Sequence, residues 1–187
     1  MGVEHDFHYI DISFEPGKLG KLGNMNPTSV LIYHLDSVMY AIPLANVDRV
    51  TRAVEITTVA ELDHKCNILG VINVHGAIVP VINTRRMLGL VERTLSIDDV
   101  FIIADSGQRK VALVVEGVDQ LVTIDEAHLT QAHSVLPEFP HLKGVARMAE
   151  GLVLIHDLEA CLSAGDAAAI DTALEMAQPT ATHGVAA

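Results

Sequence analysis

The amino-acid sequence predicts a mainly β protein that contains two small, related barrels of five short strands each. The hydrophobic half of the 187-residue chain is dominated by Val, Ile, Leu and Ala, with no Trp and only 4% aromatic residues. β-Branched residues of this kind favour strands. The apolar runs are short and separated by turn signals. Finally, two stretches of the chain repeat later in the sequence, which indicates a duplicated unit.

The first half of the chain contains a flexible arm, five candidate strands and a short helix. Residues 1–28 form the arm, since "EPGKLGKLGNMNPTS" is rich in Gly, Pro, Asn and Ser. Three strands follow in "SVLIYHL", "MYAIPL" and "VDRVTRAV". A hairpin over residues 68–83, "ILGVINVHGAIVPVIN", turns at "HG" and supplies two more strands. The run "TRRMLGL" then predicts a short helix that Gly89 closes.

The second half follows the same plan. Strands are predicted in "VFIIAD", "RKVALVVEGV" and "QLVTI", and a hairpin with a short helix in "LKGVARMAEGLVLIHDLEACLS". Residues 164–187 begin with an Ala-rich stretch that favours a C-terminal helix, with Asp166 as its N-cap, and end in a loose tail.

Two pairs of stretches match each other in the same order. "AIPLANVDRV" matches "ALVVEGVDQL" 71 positions later, Ala41 against Ala112. The two hairpins match at an offset of 74 for Gly70 and Gly144, and at an offset of 75 for Gly76 and Gly151. One inserted residue in the second hairpin explains the change of offset.

The duplication predicts one domain over residues 29–163 with half-repeats at about 30–89 and 99–163. Five strands in each half with short connections favour antiparallel pairing, and closing them into a small barrel removes exposed edges. Pro43 and Pro80 fall within strand-like runs and suit edges or bulges of curved sheets. Two packed barrels leave a groove between them.

Composition excludes several classes of partner and location. The formal net charge of −12 argues against nucleic acid, which requires Lys and Arg at its phosphates, and disfavours anionic lipid. No apolar run approaches the ~18 residues of a membrane span, and the N-terminus lacks a secretory signal. Cys66 and Cys161 are far apart and predict reduced thiols rather than a disulfide framework. A cytoplasmic protein without membrane insertion is expected.

No motif predicts catalysis, a metal site or a cofactor. The ten histidines lack ligand spacing, and "GKLGKLG" has neither phosphate-binding glycine pattern. The serines have no G-x-S-x-G context. His75 is the polar residue that stands out, since Asn73 and His75 project to one side of their strand. It is either a polar turn residue or a surface contact at the mouth of the groove.

The chain resembles the CheW-like family, the bacterial chemotaxis coupling proteins, from about Val30 to Ser163. The resemblance rests on "YAIPLANVDRVTRAVEIT", "LGVINVHGAIVPVINTRRMLGL", "KVALVVEGVDQLVTI" and "LKGVARMAEGLVLIHDLEACLS". It implies two intertwined five-stranded SH3-like barrels. It also implies a non-catalytic adaptor that joins the cytoplasmic tip of a chemoreceptor to the regulatory domain of the histidine kinase CheA, at receptor arrays. The receptor's helical hairpin is expected in the groove.

The sequence departs from the family pattern at that groove. The family usually reads Asn-x-Arg-Gly where this chain has His75 as the third residue, and often has an acid where Arg49 stands. Arg49 and His75 are expected to face each other without an ion pair. The predicted receptor-facing residues are Val47, Arg49, Val50, Asn73, His75 and Gly76.

Two alternatives remain open at this point. One is an accessory adaptor in a chemosensory pathway that does not control motility. The other, from a different class, is a small β-barrel ligand carrier or enzyme that uses His75 or His156 as a base.

Overall fold

The computed structural model of the chain describes residues 28–59, 66–125, 128–131 and 141–161, together with Ala168, Ile170 and Asp171. The predicted N-terminal arm, apart from its last residue, lies outside these residues. So does most of the predicted C-terminal segment, although its three described residues are helical.

The described chain is dominated by short strands, which confirms the predicted mainly β fold. A 3-10 turn, Leu44–Asn46, follows the second strand. The strands are β1 (Thr28–Leu35), β2 (Val38–Pro43), β3 (Val47–Arg52), β4 (Ile68–Val74), β5 (Ala77–Ile82), β6 (Val100–Asp105), β7 (Lys110–Val115), β8 (Gly117–Ile124), β9 (Leu129–Gln131), β10 (Leu142–Met148) and β11 (Gly151–His156). The helices are α1 (Thr84–Met87) and α2 (Leu158–Cys161).

Each sheet combines strands from both halves of the chain. One sheet has the order β8-β1-β2-β11-β10-β9, and the other has the order β3-β6-β7-β5-β4. Neighbouring strands are antiparallel except for β2 with β11 and β5 with β7. The expectation that each half closes on itself is therefore wrong. β1 and β2 join the last four strands of the second half, and β6 and β7 join the last three of the first half, so the two units are intertwined, as the family resemblance implies.

The crossings between the two sheets are abrupt. The chain leaves β2 at Pro43, passes through one 3-10 turn and enters β3 of the other sheet. On the return path, Glu116 alone separates β7 from β8. The chain therefore passes from one sheet to the other within one to three residues.

A returning segment covers the edge of each sheet. The chain beyond β3 forms an antiparallel bridge from Thr57 to Val71 on β4, and β9, which follows β8, pairs with β10 in the equivalent place. Both contacts occur beside a glycine at a bulge, Gly70 on β4 and Gly144 on β10. A Cβ on Gly70 would lie 2.3 Å from the Thr57 carbonyl oxygen, so the bare backbone is what permits this approach.

Three apolar cores account for the apolar character of both faces of the central strands. On β1, Val30 and Ile32 point into one sheet's interior, while Leu31 and Tyr33 point into the region between the sheets. The equivalent strand β6 alternates in the same way. We call the cluster between the sheets the central core. It comprises Leu31, Tyr33, Leu35, Tyr40, Ile42, Cys66, Ile68, Ile82, Ile102, Ala104, Val111, Leu113, Val115, Leu158 and Ile170.

The strand register corrects one detail of the sequence alignment. Val74 pairs with Ala77 across the first hairpin turn, and Met148 pairs with Gly151 across the second. The offset therefore stays at 74, and Gly151 corresponds to Ala77 rather than to Gly76. No residue is inserted, because both turns contain two residues. The sequence alignment paired Gly76 with Gly151, but Gly76 is the second turn residue of the first hairpin, whereas Gly151 begins the strand after the second turn.

Candidate docking site

Strand β3 and the β4–β5 hairpin bring the predicted site residues together. Arg49 Nη1 donates a hydrogen bond to His75 Nε2 at 2.5 Å. The two strands are the outer strands of their sheet, and this contact joins them. The expectation that Arg49 and His75 face each other is confirmed.

The turn geometry explains why His75 and Gly76 are adjacent. Both have positive φ, 52° for His75 and 89° for Gly76, as the two central residues of a type I′ turn require. Asn73 Oδ1 accepts a hydrogen bond from the Gly76 backbone N–H at 2.7 Å. Asn73 therefore supports the turn and holds the imidazole at the exposed tip of the hairpin.

A bulge in β3 determines which side chains face the core. Val47 pairs with Ala104 and Arg49 with Ile103, so Asp48 is the extra residue. The bulge breaks the two-residue alternation. As a result, both Val47 and Val50 pack against the central core while remaining partly exposed. The site is thus a cationic pair bordered by two valines, at the junction of the two sheets.

The charges around Arg49 are unbalanced. Its nearest carboxylate oxygen belongs to Asp48, 3.9 Å from Arg49 Nε, and Lys110 Nζ lies closer to that oxygen, at 3.0 Å. Arg49 Nε is enclosed and has no hydrogen-bond partner. The hydrogen bond to His75 requires a lone pair on Nε2, so the imidazole is neutral when the bond forms. The pair then carries one net positive charge.

His156, the other candidate base, is a structural residue. It is fully buried, forms a 2.8 Å hydrogen bond from Nδ1 to Tyr33 Oη, and stacks on Tyr40 with ring centroids 5.2 Å apart. Burial, assisted by nearby His141, lowers the pKa of His156 to about 3. Its neutral ring is one of the groups that fill the space between the sheets.

The structure also shows a surface that the sequence analysis missed. An open cavity of about 510 Å³ lies at the end of the sheet that contains β3, and its walls include Val54, Ile56, Leu95, Ile97 and Phe101. The side chain of Ile97 is 87% exposed. The connection "VERTLSIDD", which contributes Leu95 and Ile97 to this cavity, is mostly polar in sequence. The alternation of Leu95 and Ile97 within it was the available signal.

Within the part of the chain that the structure describes, no group of three His, Cys, Asp or Glu side chains could hold a metal ion. Cys66 is buried and has a free thiol. No helix among the described residues is long and apolar enough to cross a membrane.

The comparisons with known proteins agree with this architecture. The family model described as "CheW-like domain" matches residues 29–166. The chain belongs to the CheW-like family. It is a non-catalytic adaptor of chemotaxis signalling, which removes the enzyme alternative.

Relatives and a solved structure extend this assignment. The CheW-like chain is 29% identical to the chemotaxis protein CheW of Klebsiella aerogenes over 149 residues, covering 75% of this chain and 85% of the relative. Identity to the chemotaxis protein CheW of Rhizobium meliloti is 26% over 95 residues, 51% of this chain and 58% of the relative. The crystal structure of the scaffolding protein TtCheW from Thermoanaerobacter tengcongensis matches with a TM-score of 0.68 and 25% identity. This match covers 75% of this chain and 96% of that chain. The predicted fold of two SH3-like barrels is confirmed.

Proposed function

We propose that this CheW-like adaptor couples a chemoreceptor to the regulatory domain of the histidine kinase CheA, in the cytoplasm at membrane receptor arrays. The receptor's cytoplasmic helical hairpin docks on the surface formed by Val47, Arg49, Val50, Asn73, His75 and Gly76. The observation that carries the proposal is the convergence of β3 and the β4–β5 hairpin through the Arg49–His75 hydrogen bond.

The shape and chemistry of this surface suit a helix. Val47 and Val50 offer partly exposed apolar contacts that continue into the central core. Arg49 and His75 supply polar groups beside them. Apolar anchors with polar groups at the rim are how grooves typically recognise amphipathic helices. An adaptor must bind both partners at once, so the kinase domain takes a different surface.

Hydrogen exchange on the full-length chain tests this proposal. The purified cytoplasmic hairpin of a chemoreceptor encoded in the same genome is added, and amide protection is measured by mass spectrometry. We expect new protection in 47–52 and 73–77. The matching segments of the other sheet, 118–123 and 147–151, are the internal control and should not change.

A second measurement adds the isolated regulatory domain of CheA to the same mixture. We expect a ternary complex by size-exclusion chromatography, with protection at 47–52 and 73–77 retained. Absence of binding to either partner, or protection confined to the control segments, contradicts the proposal. Displacement of the receptor hairpin by the kinase domain also contradicts it, because an adaptor that binds its partners alternately cannot couple them.

A further inference from the structure

Arg49 is a half-exposed arginine whose nearest carboxylate belongs to Asp48, 3.9 Å from Nε, and is shared with Lys110. Four other arginines form ion pairs with a carboxylate, namely Arg85 with Asp36 at 2.8 Å, Arg86 with Glu92 at 2.7 Å, Arg109 with Asp171 at 2.6 Å, and Arg93 with Asp99. Arg52 and Arg147 have no ion pair among the described residues, but both are exposed to water. Arg49 differs from both groups, since its side chain is 42% exposed and its ion pair with Asp48 is long, at 3.9 Å.

The surroundings of Arg49 leave donor capacity unused. Nε is enclosed and unpartnered, and within the described residues the only hydrogen bond of the guanidinium is the one from Nη1 to His75. The competing charge on Asp48 is held by Lys110 at 3.0 Å. In a chain of net charge −12, Arg49 nevertheless shares its nearest carboxylate with a second cation and lies beside two partly buried valines. It resembles half of an ion pair whose other half is on a partner.

His75 leaves this imbalance of charge unchanged. An acid at position 75 would neutralise the guanidinium, whereas a neutral imidazole only orients it. The hydrogen bond to His75 uses Nη1, and Nη2 forms no hydrogen bond among the described residues. A planar, fixed guanidinium is suited to two parallel hydrogen bonds with a carboxylate.

We infer that Arg49 determines specificity in the groove by binding an Asp or Glu carboxylate on the docked receptor helix, with His75 as its positioning residue. Val47 and Val50 contact apolar side chains on the same helix face. This inference rests on the proposed docking function, and it specifies the chemistry of the partner: an amphipathic helix with one acid beside its apolar stripe.

Charge reversal with a matched control provides the test. Full-length wild type, Arg49→Glu and Gln120→Glu are titrated with the purified receptor hairpin by isothermal calorimetry. Gln120 is the counterpart of Arg49, one residue beyond the equivalent bulge on β8. Arg49→Glu should lower the affinity about tenfold or more, because it places like charges together in a desolvated contact. Gln120→Glu should change the affinity by less than about twofold, as expected for a site outside the contact.

The complementary arm changes the partner. Each acidic residue at the hairpin tip is replaced in turn by Lys and titrated against Arg49→Glu. One of these receptor variants should restore most of the lost affinity, which a purely structural role for Arg49 does not predict. Circular dichroism and binding to the kinase regulatory domain show that Arg49→Glu is folded.

The outcomes separate this inference from the docking proposal. If wild type binds the hairpin and folded Arg49→Glu binds it equally well, Arg49 does not determine specificity and the docking proposal stands. If affinity falls but no Lys variant restores it, the carboxylate partner is wrong. If wild type binds no receptor hairpin, the docking proposal fails and the inference fails with it.

Discussion

The hairpins β4–β5 and β10–β11 occupy matching places in the two sheets. Both have a bulge beside a glycine, a two-residue turn and a parallel neighbour from the other half of the chain. They differ at the tip. The first turn is His75–Gly76 with positive φ at both residues, and the second is Ala149–Glu150, which has no such residue. One backbone plan thus carries two different surfaces, so the family architecture alone cannot locate the docking site.

The two hairpins are expected to differ most in how far a substitution at the bulge glycine lowers the stability of the protein. Gly70→Ala combines a φ of +152° with a Cβ 2.3 Å from the Thr57 carbonyl oxygen. We expect it to lower the free energy of unfolding by about 3–5 kcal/mol, from backbone strain plus overpacking. Since the chain has no Trp, urea unfolding is followed by circular dichroism.

Gly144→Ala is the matched control for this substitution. Its Cβ would lie 2.7 Å from Leu129 Cδ1, the end of a flexible side chain, and 3.1 Å from the Thr130 carbonyl oxygen. The expected loss is about 1–2 kcal/mol, because the leucine can move. Equal losses of unfolding free energy for the two variants would contradict the expected difference, and would mean that both sheet edges tolerate an added Cβ equally poorly.

A second difference lies where each hairpin ends, since His156 corresponds to the buried Ile82. The folded state holds His156 neutral with its pKa lowered to about 3, whereas the unfolded chain protonates it below about 6.5. Its contribution to stability is complete above pH 6.5 and is lost as the pH falls towards 3. The expected loss from this group is about 2 kcal/mol between pH 6.5 and 5.

The double variant Tyr33→Phe with His156→Leu makes this position apolar, as it is in the first hairpin. It removes both the titrating group and the hydroxyl that is hydrogen-bonded to it. Urea unfolding at several pH values should show a flatter dependence of stability on pH than wild type. Tyr33→Phe alone keeps the imidazole and should keep the slope. A double variant with the wild-type slope would mean that His156 is not the source of the acid sensitivity.

The smallest effect concerns the turns themselves. Gly76→Ala places a side chain at a φ of +89°, with no atom within 4 Å of the new Cβ. Backbone strain alone should cost about 1 kcal/mol. Glu150→Ala, at the corresponding position of the other turn, should change stability by less than about 0.5 kcal/mol. Thermal unfolding measures both, and an equal loss at Glu150 would mean that the second turn is strained as well.

Much of the fold could be predicted because its strands are short, aliphatic and bounded by clear turn signals. The self-match of "VDRV" with "VDQL" also has a physical cause, since Asp48 and Asp119 are the extra residues of equivalent bulges. Strand β9 was missed because "LTQ" is too short and too exposed to show a pattern. The half-repeat boundaries stay a prediction.

The strand exchange could not be predicted from the residues alone. A strand such as β1, apolar on both faces, is compatible with either sheet, so its residue pattern does not show which strands it pairs with. For the site, period and turn chemistry placed Asn73, His75 and Gly76 together, and the family resemblance supplied Arg49. The weak pairing of Arg49 depends on the positions of Asp48 and Lys110, which belong to different strands and are distant in sequence.

The exchange of strands also sets an order of assembly during synthesis. All strands of the β3-β6-β7-β5-β4 sheet have been made once Val115 is complete, so this barrel can close while the ribosome is still extending the chain. The hairpin β1–β2 is made first, yet its parallel partner is β11, at Gly151–His156. Non-local pairing of this kind is slow. β1 and β2 are therefore synthesised before the other strands but complete their sheet last. Their apolar faces are the ones that stay exposed to a chaperone during synthesis.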